Sequence, residues 1–162
     1  MSAWDDIAAR LEAAGLGVKP GRDLLGTGDG ATRNQGGGRM IEFTVPGRPR
    51  PKQRPRKGKH GNMYTPRETQ EYERKVAWYA SKAMQGKVKI TGPVGVAIRL
   101  YFKGKRVADI DNCAKAIMDG MVGVIFNDDR QVRELRISRH GAKEERAEAR
   151  VWPIEEESCE AL

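Results

Sequence analysis

Residues 94–137, VGVAIRLYFKGKRVADIDNCAKAIMDGMVGVIFNDDRQVRELRI, carry the pattern on which the fold turns. Val94, Val96, Ile98, Leu100 and Phe102 share one side of an alternating run, the period of a strand with a buried face. After a polar turn from Lys103 to Arg106, Ile110, Ala114, Ile117 and Met121 recur at helical spacing, and the helix closes among Gly120 to Gly123. Val124-Ile125-Phe126 is a short apolar run stopped by Asn127-Asp128-Asp129, and Leu135 and Ile137 belong to a further strand.

The flanks extend this core. Upstream, Ile41, Phe43 and Val45 alternate as a first strand ended by Pro46-Gly47. Tyr64-Thr65-Pro66 opens a helix with Glu68 and Glu71 close behind, and Tyr72, Val76, Tyr79 and Ala83 give it an apolar face up to Gly86. Downstream, a charged hairpin at 140–146 returns through Ala147, Ala149 and Val151. The order β-α-β-α-β-β predicts a single α+β domain over residues 40–154, a mixed sheet with two main helices against it. Residues 1–39 read as an N-terminal arm: a short helix on Ile7, Ala8, Leu11 and Ala14, then a Gly-rich linker. Residues 155–162 read as a disordered acidic tail.

Composition narrows the function. The 162 residues are 38% hydrophobic, enough for one modest core. No apolar run approaches the ~20 residues that span a bilayer, and MSAWDDIAARLEAAG has neither the basic start nor the apolar stretch of a secretory signal. Cys113 and Cys159 form no CxxC pair, so neither a disulfide scaffold nor a zinc site is expected, and a reducing, cytoplasmic setting is.

The charge is concentrated. Thirty Lys and Arg against 22 Asp and Glu leave +8, and the stretch from Phe43 to Arg67 supplies all of the excess. It holds Arg48, Arg50, Lys52, Arg54, Arg56, Lys57, Lys59 and Arg67 with no acidic residue. Prolines at 46, 49, 51 and 55 favour an extended backbone, which strings the charges along a loop. An extended basic strip suits a phosphate backbone.

Four aspartates stand where the hydrophobic pattern breaks: Asp109, Asp111, Asp128 and Asp129. If the first pair is extended, its side chains point the same way from Cα atoms about 6.6 Å apart. The chain's return is expected to bring the second pair to the same end of the sheet, forming an oxygen-ligand site for Mg²⁺, with Mn²⁺ as substitute. Lys115, four residues after Asp111, shares its helix face and is placed to meet a phosphate. Singly, these residues read as a helix cap, a turn and an i,i+4 ion pair. Beside a polyanion strip, a metal site explains the acids better, since uncompensated carboxylates weaken phosphate binding. His60 and His140 lack ligand-spaced partners, and no GxSxG elbow or P-loop occurs. Trp78 falls off the apolar face of its helix and is either a stacking residue or a partly exposed structural one.

The runs VPGRPRPKQRPR and YTPRETQEYERKV, followed by DIDNCAKAIMDGMVGVIFNDDRQV, resemble RusA-type Holliday junction resolvases, particularly phage and prophage members. The likeness covers roughly residues 40–152. It implies a homodimeric, Mg²⁺-dependent endodeoxyribonuclease that cuts four-way DNA junctions by paired symmetric nicks in recombination and repair. It assigns Asp109, Asp111 and Asp129 to the acidic catalytic positions and Lys115 to the essential lysine. Asp128 falls at a neighbouring acidic position and Asn112 at a supporting one. Two other readings stay open: a non-catalytic nucleic-acid-binding module, and a metal-dependent nuclease acting on flaps, forks or duplex. No small-molecule cofactor and no membrane partner are expected.

Overall fold

The computed structural model describes residues 40–155. The expected arm at 1–39, and the tail beyond Glu155, lie outside them. The elements are β1 (Ile41–Pro46), β2 (Arg56–Lys57), β3 (Met63–Tyr64), α1 (Arg67–Met84), β4 (Val94–Phe102), α2 (Ile110–Met121), β5 (Val132–Gly141) and β6 (Arg146–Pro153).

Four strands form a mixed sheet in the order β1-β6-β4-β5. β6 is antiparallel to both β1 and β4, while β4 and β5 run parallel. The register aligns apolar rows across the sheet. Ile41, Val151, Val96 and Leu135 make one row, and Phe43, Ala149, Ile98 and Ile137 the next. The alternation in β4 becomes burial: Val94, Val96, Ile98, Leu100 and Phe102 are at most 1% exposed. Ala147 and Ala149 keep the middle of the sheet low where the helices pack. On the opposite face Gly95 is buried beneath the Trp152 indole, which occupies the space a Cβ would need.

The α1 stripe is Thr69, Tyr72, Val76, Ala80 and Met84. Tyr79 and Ala83 flank it half-buried, so the stripe lies slightly around the helix from its expected position. α2 buries Cys113, Ala114, Ala116, Ile117, Gly120 and Met121. The two helices meet at Gly120, where a Cβ would sit 2.7 Å from Val76 and 2.8 Å from the Glu73 carbonyl oxygen. After α2, Gly123 turns the chain at φ +81°. Ile125 and Phe126 then fill the end of the core, and Ile90 bridges to Phe126.

The expected α+β class, mixed sheet and element order hold. The 140–146 segment, however, joins no hairpin: β5 and β6 do not pair. The chain crosses the end of β4, where the Ala142 N–H donates to the Phe102 carbonyl (3.0 Å), and β6 enters the sheet on β4's other side. Burial explains the choice. β6 presents Ala147, Ala149 and Val151 to the core and earns a central place, whereas β5 is mostly polar and stays at the edge. Among the described residues no helix is long and apolar enough to cross a membrane.

Candidate nucleic-acid interface and acidic site

The basic loop is pinned before it is free. The Lys52 N–H donates to the Asn112 carbonyl (3.0 Å), and the Gln53 N–H to the Thr69 hydroxyl (3.3 Å), tying the loop to both helices. Arg48 spans Glu145 (2.9 Å) and the Arg106 carbonyl (2.8 Å), with its guanidinium 5.7 Å from the centre of the Phe102 ring. The Lys52 ammonium pairs with Asp119 and lies 3.7 Å from Glu73. The Asp119 hydrogen bond raises the Lys52 pKa, while burial raises that of Glu73. Of the seven cations from Arg48 to Lys59 that the sequence offers to DNA, Arg48 and Lys52 are thus fasteners within the protein. Arg67 pairs with Glu71 at 2.7 Å.

The other five, Arg50, Arg54, Arg56, Lys57 and Lys59, are exposed. Among the described residues none of them forms a salt bridge; Arg56 makes a 3.4 Å hydrogen bond to Gln53. The loop also folds into a ribbon that sequence reasoning missed. β2 and β3 pair antiparallel, Arg56 opposite Tyr64 and Lys57 opposite Met63. Its turn closes through the Gly58 N–H to the Asn62 carbonyl (2.8 Å), with Gly61 at φ +80°. Strands of two residues offer no alternation to read; the one available signal was the pair of glycines bracketing 58–61.

Asp109 stands at the N-cap of α2 in extended conformation, and Asp111 already lies in the first helical turn. The fully extended pair is therefore not formed. Nor does Asp109 cap: its carboxylate takes no backbone N–H of the helix, and its partner is the Asn112 amide at 3.5 Å. Both carboxylates are exposed, at the positive end of the helix dipole. Lys115 is exposed one turn on, and among the described residues no carboxylate pairs with it. Below the pair, burial and then the Asp109 charge push the Cys113 thiol up to about 11, marking it as a core residue. Trp78 is half-buried, edge-on to Tyr79 at 4.6 Å, with the Lys82 ammonium 4.0 Å from its ring centre.

The second acidic pair goes elsewhere. Because β4 and β5 are parallel, α2 runs back along the sheet between them, so what precedes α2 and what precedes β5 lie at opposite ends. Val132 opens β5 opposite Val94, the first residue of β4. The Gln131 amide donates to the Ile90 (2.9 Å) and Gly92 (2.8 Å) carbonyls at that same end. The twelve residues of α2, about 18 Å of helix, separate the pairs. Asp128 makes a capping box with Gln131: it accepts from the Arg130 N–H (2.9 Å), and Gln131 accepts from the Asp128 N–H (3.0 Å). That backbone bond, then the hydrogen bond with Asp129, holds the Asp128 pKa low. Asp129 is exposed.

One chain thus does not gather the acids. Among the described residues no group of three or more His, Cys, Asp or Glu is placed to hold a metal ion. The Asp109–Asp111 end has the hard-oxygen chemistry that suits Mg²⁺, but the three-carboxylate set does not fit one ion within a protomer.

Comparisons agree with the sequence motifs. A family model described as endodeoxyribonuclease RusA matches residues 46–152. The chain is also similar to "Uncharacterized protein YqaN" of Bacillus subtilis (strain 168), 30% identical over 139 residues that cover 70% of this chain and 96% of that protein.

Proposed function

The chain belongs to the RusA endodeoxyribonuclease family, a family of Holliday junction nucleases, and from that premise we propose that it resolves four-way DNA junctions by paired symmetric nicks, as a homodimer that requires Mg²⁺. The observation that carries this reading is the open end of α2. There Asp109 and Asp111 present two exposed carboxylates without capping duty, Lys115 stands one turn on with no salt-bridge partner among the described residues, and the basic loop is bonded to Asn112 between them.

Asp109 and Asp111 would hold the ion, whose chemistry is to polarise the scissile phosphate. Lys115 faces the same phosphate and offsets the charge that builds on it. Arg50, Arg54, Arg56, Lys57 and Lys59 bind the backbone on either side, and Arg48 and Lys52 keep the loop that carries them at this end of the sheet.

Asp129, with Asp128 beside it, would join from a second copy. β5 is an edge strand, with β4 as its only partner among the described residues. Two copies pairing antiparallel along it would set the start of one β5, with its aspartates, beside the end of the other, where Asp109 and Asp111 stand. Ile137 opposite its own copy brings Glu134 opposite His140 and covers Leu135, which is 41% exposed. Two such sites on a two-fold axis match a four-way junction. The setting is DNA recombination and repair in the cytoplasm of a bacterial or phage-infected cell.

The test compares cleavage of a four-way junction with that of linear duplex at equal salt and Mg²⁺. Junction cutting that stops in Asp111→Asn, while junction binding persists, is expected. Equal cutting of junction and duplex, or cutting restricted to flaps and forks, assigns the nuclease another substrate.

A further inference from the structure

We propose that the β2–β3 ribbon reads the branch itself, with Tyr64 and Met63 contacting bases that are unstacked at the junction; this rests on the resolvase reading above. Met63 is 64% and Tyr64 46% exposed, among the most exposed large apolar residues described. They stand in the basic stretch from Phe43 to Arg67, which holds no acidic residue, and the pairing of the ribbon sorts them. Arg56 lies opposite Tyr64 and Lys57 opposite Met63, so each face of the ribbon carries one cation and one apolar side chain. Such a ribbon has no core of its own, and a two-stranded hairpin of this size is marginal in water. Its apolar residues therefore do not serve the fold; they await a surface that offers flat apolar area next to negative charge.

Nucleic-acid bases flanked by their phosphates have that chemistry. In continuous duplex the faces of the bases are covered by their neighbours, and a protein meets only groove edges. At a branch the stack is interrupted and a base face is open to an aromatic ring. The position is right as well. The loop is fastened at Lys52 to Asn112, next to Asp111, and the ribbon begins only four residues later. A base held by Tyr64 would fix which phosphate reaches the acidic end of α2.

The test uses the full chain without added divalent metal, a four-way junction carrying 2-aminopurine at the branch, and a linear duplex of the same sequence. Wild type is expected to prefer the junction and to change the 2-aminopurine fluorescence. Tyr64→Ala should cut the junction preference about tenfold and abolish the fluorescence change with duplex affinity kept, as loss of one base–aromatic stack predicts; Tyr64→Phe should retain both. Met63→Ala should fall between them. Arg56→Ala should weaken junction and duplex alike. A Met63→Ala/Tyr64→Ala double variant with unaltered preference and unaltered fluorescence overturns the inference, as does an equal loss on both DNAs. Wild type that binds both DNAs alike overturns instead the resolvase reading on which it rests.

Discussion

Asp128 and Asp129 are neighbours with different duties. Asp128 is spent on the capping box, and Asp129 has an exposed carboxylate outside it. Asp128→Ala is expected to lower the urea midpoint slightly, and Asp129→Asn to leave it unchanged while stopping junction nicking. The cap obeys linkage with a plain sign. The Asp128 pKa is lowered by folding, so its contribution is present above the ordinary carboxylate range and fades as pH falls through the folded value. Cys113 runs the other way. Its thiol is pushed from 9.0 up to about 11, chiefly by burial, so the folded state holds the proton longer than the unfolded one. Its contribution is complete below pH 9 and is lost as pH climbs toward about 11. At pH 8, thiol reagents should label Cys113 only as fast as the protein unfolds, which peptide mapping during a denaturant titration would detect. Labelling of Cys113 at the rate of an exposed thiol would contradict its place in the core.

At the scale of elements, the crossing of α1 and α2 is the tightest joint. Gly120→Ala forces a methyl against Val76 and a backbone carbonyl, neither able to swing aside, and should cost about 1–3 kcal/mol by chemical denaturation. What the sequence made legible follows burial. β4 and α2 were readable because one face of each is wholly apolar, and the sheet class followed from their order. The pairing of β6 was not readable. An Ala-rich strand after a charged turn looks like the return arm of a hairpin, and only the vacancy between β1 and β4 directs it inward. The acids of the candidate site stood out in the sequence, but where the fold puts them did not. DxDN and NDD stood out as acids where apolar pattern breaks, yet their placement depends on whether β4 and β5 run parallel, which spacing alone does not decide. The sorting of the basic strip was equally hidden, because Glu145, Asp119 and Glu73 claim Arg48 and Lys52 from distant positions.

For the whole molecule, the basic strip offers five cations without a salt bridge among the described residues, in place of the eight counted in the sequence. The logarithm of duplex affinity should fall with that of salt at a slope of about −4.5 per bound protomer rather than about −7. Titrations across salt by fluorescence anisotropy would measure it. The proposed two-copy site has its own signature. Mixed Asp111→Asn and Asp129→Asn proteins, refolded together, should regain nicking although each alone is inactive. Each mixed dimer then holds one intact site and one doubly defective site, so it should nick a single strand and fail at paired resolution. A mixture as inactive as its components would mean that each site is drawn from one chain.

The sheet closes on β6, the last strand among the described residues yet an inner one, flanked by β1 and β4 on its two sides. During translation, β1 and β4 wait on the ribosome as two ribbons without a common neighbour, and no partial sheet can form a native pair between them. Joining becomes possible only once Ala147 to Val151 has left the exit tunnel. A nascent chain arrested before that point has released the basic loop and all four aspartates but not the strand that joins β1 to β4, so the frame that positions them is completed only once β6 is made.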